Sequence, residues 1–165
     1  MKAELFSADF FTSVLIFSLI ILMLNMFYVD LQRDVYEYNK RNNMQTRAMN
    51  IASLLATTSG EPRVWNSTNV RVVGLNDAGF FNLTKFEELK KINYQKAKII
   101  LGSGGFEVYI ALKNSTGSIL EDGGVQYSFG NPLTNVEQSF VSKRLGLSEV
   151  GGENIKTIME VVIWE

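Results

Sequence analysis

The sequence predicts an α+β fold in which a long N-terminal α-helix packs on an antiparallel β-sheet head carrying two short helices. Three observations lead there. Phe10 to Val29, FFTSVLIFSLIILMLNMFYV, runs without a formal charge or a proline; at about 1.5 Å per residue it covers roughly 30 Å, the thickness of a bilayer's hydrocarbon. From Asp30 the apolar residues recur at helical spacing with no proline or glycine until Gly60. Beyond Gly105 the period switches to two, interrupted by glycine turns.

Composition narrows the function classes. With 16 basic against 17 acidic residues, a net charge of −1, and no basic cluster, the chain has no nucleic-acid footprint. It contains neither cysteine nor histidine, so thiol nucleophiles, thiolate metal sites and the commonest general base are all missing. No carboxylate pair or nucleophile–base spacing stands out either, and the reading is of a protein that is not an enzyme and needs no cofactor.

The elements follow in order. Residues 1–9 form an N-terminal flank, MKAELFSAD, with Lys2 its one base, which favours a cytoplasmic N-terminus and a head outside. The apolar run is longer than a secretory signal's and lacks a small-residue cleavage site after it, so removal of the whole segment is not expected. Residues 10–58 are expected as one long helix, with an apolar half, 10–29, too greasy all round for water. The other half, 30–58, is amphipathic and carries Leu31, Val35, Tyr38, Met44, Ala48, Ile51 and Leu55 on the stripe that would lie on the head. The alternative is an anchor helix followed by a separate surface helix, hinged near Asn25 or Asn42–Asn43. Residues 59–165 are the β-rich head. It opens with a loop through Gly60 and Pro62 and a short strand at Val70 to Leu75, and Trp65 is expected against the helix. Thr84 with Glu87 reads as a capping box for one short helix and Asn93 as the cap of a second, which Gly102 ends. FEVYIAL, SILE and VQYSFG, separated by the NSTG and DGG turns, read as successive antiparallel strands of a meander. Val136 to Leu145 and Asn154 to Glu165 read as two longer strands joined through Gly146 to Gly152, the last strand central, with Ile155, Thr157, Met159, Val161 and Ile163 on one face.

Two glycine clusters and the aromatics have plain readings. Gly102 to Gly105 lacks a phosphate-loop register and precedes a strand, so it is a helix-ending turn. Asp122-Gly123-Gly124 lacks the alternate ligands of a calcium loop and reads as a hairpin turn. Phe80, Phe81, Phe106, Tyr109, Tyr127, Phe129 and Phe140 fall at strand or helix-start positions expected in the core. Three N-x-[ST] triplets, at Asn66, Asn82 and Asn114, lie in the outside domain as candidate N-glycosylation acceptors; such triplets also arise by chance in an Asn-rich chain.

The chain resembles archaeal type IV pilin-like proteins with a class III signal peptide. The likeness lies in the short charged leader before a long apolar helix. In that family the mature chain begins Q-x-S-x-E, and residues 5–9 read L-x-S-x-D, with Ser7 and Asp9 matching and Leu5 departing. The head run GLNDAGFFNLTKFEELKKINYQKAKIILGSGGFEVYIAL is similar to the heads of such proteins in the order of its soft motifs. The resemblance implies a type IV pilin-like fold and prepilin processing near residues 3–5, the Lys2-Ala3 pair placing the cut before Glu4. It implies polymerisation of the apolar helix, from Ser7 and Asp9 through Phe10, Leu15, Leu19 and Leu22, into a homo-oligomeric helical filament. Asp9 would pair with a neighbouring subunit's free amino terminus and set the register, since an unpaired carboxylate in an apolar bundle is costly. The alternative for Asp9 is a place at the headgroup level, favoured by the helix macrodipole. The implied partners are the membrane before assembly, a prepilin peptidase and pilus assembly machinery, and the implied destination is an adhesive filament at the cell surface. A minor pilin or pseudopilin of a secretion or uptake system, and an anchored extracytoplasmic binding module that does not polymerise, are the alternatives.

Overall fold

The computed structural model describes residues 2–133, 136 and 138–165, with side chains described from residue 8 onward. The chain is α+β, and it divides into two compact units, Met1–Arg41 and Asn42–Glu165.

Helix α1 (Lys2–Thr57) begins in the first unit and ends in the second. In the first unit Thr12 and Ser18 donate their hydroxyls to the carbonyls of Ala8 and Val14, at 2.9 and 2.8 Å, which satisfies both groups inside the helix. Leu31, Val35 and Tyr38, expected to begin the head-facing stripe, are instead 50, 52 and 70% exposed, and burial starts at Met44. The reason is angular. The step from Tyr38 to Met44 is six residues, about 240° around a helix of 3.6 residues per turn, so the two sets lie on different faces.

In the second unit, Met44, Ala48, Ile51, Ala52 and Leu55 of α1 join one core cluster. Across from them lie the inner faces of two long strands: Val108, Ile110 and Leu112 of β3 (Glu107–Lys113), and Met159, Val161 and Ile163 of β8 (Glu153–Trp164). Side chains of this size, fully removed from water, are worth about 1.5–3 kcal/mol each. Helix α2 (Leu83–Lys91) adds Phe86 and Leu89, and α3 (Tyr94–Leu101) adds Ala97 and Leu101. Trp65 is buried in the same cluster, its indole N–H donating to the carbonyls of Ser59 and Gly74. Of the seven aromatics expected inside, Phe81, Tyr127 and Phe129 are buried and the other four half-buried.

The main sheet comprises β1 (Asn76–Asp77), β2 (Phe80–Phe81), β3, β6 (Ser128–Gly130), β7 (Ser139–Val150) and β8, in the order β1-β2-β7-β8-β3-β6. The expected central strand is central: β8 pairs antiparallel with β7 from Ser139↔Trp164 to Val150↔Glu153, and with β3 from Glu107↔Trp164 to Lys113↔Ile158. The simple meander is corrected. Strand β4 (Glu121–Asp122) and β5 (Val125–Gln126) form their own hairpin about Gly123-Gly124, and Ile119 makes only an isolated bridge to Lys113.

Three further expectations are corrected. Val70 to Leu75 is not a strand; Val70, Val73 and Leu75 are buried, but the backbone bonds to Glu61 and to the end of α1, with Leu75 N on Leu55 O at 2.9 Å. Its apolar character reflects burial, with a single antiparallel bridge from Val72 to Glu61 in place of a ladder. The cap of α2 is Asn82, whose Oδ1 accepts from Lys85 N at 3.0 Å, and Thr84 lies inside the helix. The long strands are joined at Gly151-Gly152, both with positive φ, as a type I′ turn requires, and Gly146 stays paired to Thr157 inside β7. Gly146 serves a close approach, since a Cβ there would stand 2.5 Å from the Phe81 ring. Strand β7 begins at Ser139, and of the expected start at Val136, Glu137 lies outside the described residues. Asn93 and Gly102 do cap and end α3, Gly102 in the left-handed conformation at φ 73°.

Candidate functional site

The first candidate is the apolar length of α1. Its branched and aromatic side chains form a helix because lipid or protein, and not propensity, would satisfy them. Phe10, Leu15, Leu19 and Leu22 are 62, 60, 52 and 59% exposed, and no residue of its most apolar 18-residue window is buried. Asp9 is exposed one residue before this surface begins. Ser7 belongs to the helix, but its side chain lies outside the described residues, as do the side chains around the expected processing point at residues 3–5. By length and composition this helix is apolar enough to cross a membrane, and an exposed apolar surface of this extent is of the kind that lipid or protein covers.

The three candidate acceptor asparagines are sorted by their surroundings. Asn66 is exposed, its Oδ1 accepting from the Thr68 hydroxyl at 2.7 Å and from two backbone N–H groups. Asn114 repeats the arrangement with the Thr116 hydroxyl at 2.6 Å and the N–H groups of Thr116 and Ser118. In both, the amide nitrogen makes no hydrogen bond among the described residues. Asn82 differs: its oxygen caps α2 and its amide nitrogen donates to Asp77 at 3.5 Å.

Several of the head's charged groups are engaged in holding the fold. Lys98 bonds Glu107 at 2.6 Å, and the Tyr94 hydroxyl donates to the other Glu107 oxygen at 2.6 Å while accepting from Val108 N. The Lys98 and Tyr94 hydrogen bonds hold the Glu107 carboxyl below its ordinary range, and burial followed by the hydrogen bond to Glu107 pushes Tyr94 up to about 12. On the outer face of the sheet Glu160 is bracketed by Lys113 at 2.5 Å and Lys143 at 3.1 Å. Burial alone would raise the Glu160 pKa, but the two ammonium groups outweigh it and hold it low. In the cleft lined by Arg63, Trp65, Asp77, Lys85 and Glu88, Lys85 donates to Ser59 O, Arg63 faces Asp77 at 3.7 Å, and Glu88 accepts from Ser67 N. Desolvation lowers the pKa of Lys85.

Sequence reasoning missed these pairings because they depend on register: Lys113, Glu160 and Lys143 meet only once β3, β8 and β7 are aligned. It also missed Arg47, which donates to Gly102 O at 2.6 Å and lies where a Gly104 Cβ would stand. Comparison with protein-family models, with curated proteins and with solved structures found no match.

Proposed function

We propose that the chain is a structural subunit of an archaeal type IV pilus-like filament, held in the membrane by α1 and then polymerised through that helix, with the head displayed at the cell surface. One observation carries the reading: a charge-free helical length from Phe10 to Val29 that is exposed along its whole extent. Packing such helices against one another gains little hydrophobic energy over lipid, so assembly depends on side-chain fit, on Asp9 and on dedicated machinery, including a prepilin peptidase. In this reading the protein is not an enzyme and serves adhesion, with glycans on Asn66 and Asn114.

Replacing Asp9 with Ala tests it. Negative-stain images of cells carrying the assembly machinery should lose filaments while the head keeps its circular dichroism spectrum. Normal filaments from D9A would remove the role given to Asp9, and wild-type protein that extracts only as monomers and never polymerises would reject the filament in favour of a tethered binding module.

A further inference from the structure

Ser18, Asn25, Gln32 and Asn39 recur along α1 in steps of seven, and all four are exposed. A seven-residue repeat keeps one seam of a helix facing a partner across a left-handed crossing, and a polar residue at single seam positions fixes register. Between them Leu22 and Val29 stand on the same seam, 59 and 61% exposed. The polar members are not equivalent. The Ser18 hydroxyl is already satisfied by Val14 O, and Gln32 donates to the Tyr28 hydroxyl. Asn25, the one amide within the apolar run, has no hydrogen-bond partner among the described residues.

An amide left unpaired in hydrocarbon is costly. Its oxygen and its two N–H groups make it complementary to another amide. We propose that the apolar lengths of two copies of this chain pack side by side in parallel along the Ser18–Asn25–Gln32–Asn39 seam, with Asn25 of one copy hydrogen-bonded to Asn25 of the other. Parallel copies place like positions opposite each other, and the seam carries no charge, so identical copies meet without repulsion. The inference rests on the reading of α1 as a membrane-held, self-associating helix, and it adds the face and the register of a pair in the membrane, distinct from the staggered contact that Asp9 would make in a filament.

The natural absence of cysteine permits a direct test. Single substitutions V29C, on the seam, and F27C, on the opposite side of the helix, are introduced into the full chain, and membranes of expressing cells are oxidised with copper-phenanthroline. Disulfide-linked dimer should form with V29C and not with F27C. Adding N25L to V29C should lower the linked fraction about threefold to tenfold, the range expected for one interhelical hydrogen bond, and N25Q should restore most of it. Equal linkage from both faces, no linkage from either, or linkage indifferent to N25L would overturn the seam. Imaging the same strains separates the two ideas: linked dimers without filaments keep the seam and reject the filament, and filaments with face-indifferent linkage do the reverse.

Discussion

Among single residues, Glu160 contributes to the head's response to acid. Its carboxyl is depressed by Lys113 and Lys143, so the stabilisation it supplies is fully present above the ordinary carboxylate value of 4.5 and is lost as pH falls through the lower folded value. Glu107 acts in the same direction. Substituting E160Q leaves two ammonium groups facing a neutral amide in a largely buried place and should cost about 2–3 kcal/mol at pH 7. Urea midpoints at pH 7 and pH 3 measure it: the wild type should lose more stability over that interval than E160Q, and parallel losses would show that the bracket contributes nothing. The asparagines separate at this scale too. Glycopeptide mass spectrometry of protein from its native host should find sugar on Asn66 and Asn114 and none on Asn82, whose amide is turned to Asp77; sugar on Asn82 would mean that its cap opens readily.

For the individual elements, what could be read in advance was whatever depends on near neighbours in the chain. Asn93 before YQKAKIIL and Gly102 after it are local signals, and α3 obeys them. The period-two pattern of the last strand put Met159, Val161 and Ile163 on one face, and they are buried together. The start of α2 was misplaced because Thr84-x-x-Glu87 mimics a capping box two residues downstream of Asn82, which reaches Lys85 N first. N82A should therefore lower head stability by about 1 kcal/mol and T84A by much less; thermal melts followed by circular dichroism would expose the opposite order. Gly146 looked like a turn because glycine usually is one. Only tertiary packing, the Phe81 ring against β7, explains it. The short strands β1, β2, β4 and β5, two residues each, are too brief to leave a periodic trace. The apolar surface of α1, by contrast, was plain from composition alone.

At the scale of the whole molecule, the last part of the long helix belongs to the same compact unit as the sheet, because every buried α1 residue from Met44 to Leu55 sits in the head's core. Residues 42–165 expressed alone should therefore be soluble without detergent and unfold in one cooperative urea transition, whereas a fragment starting at residue 59 should not, having lost Met44, Ile51 and Leu55. A cooperative transition from the shorter fragment would mean that the helix end is dispensable to the core. The step of six between Tyr38 and Met44 could have been noticed in the sequence, and it marks where one apolar stripe ends and another begins.

The two tryptophans, Trp65 and Trp164, are 4 and 6% exposed, and both lie in Asn42–Glu165. The chain thereby has a built-in optical probe confined to one of its halves: indole emission will report whether the head is intact. Residues 10–29 hold no tryptophan, so a mere change of solvent around the greasy segment should leave the indole emission where it was, whereas denaturation of the head should shift it.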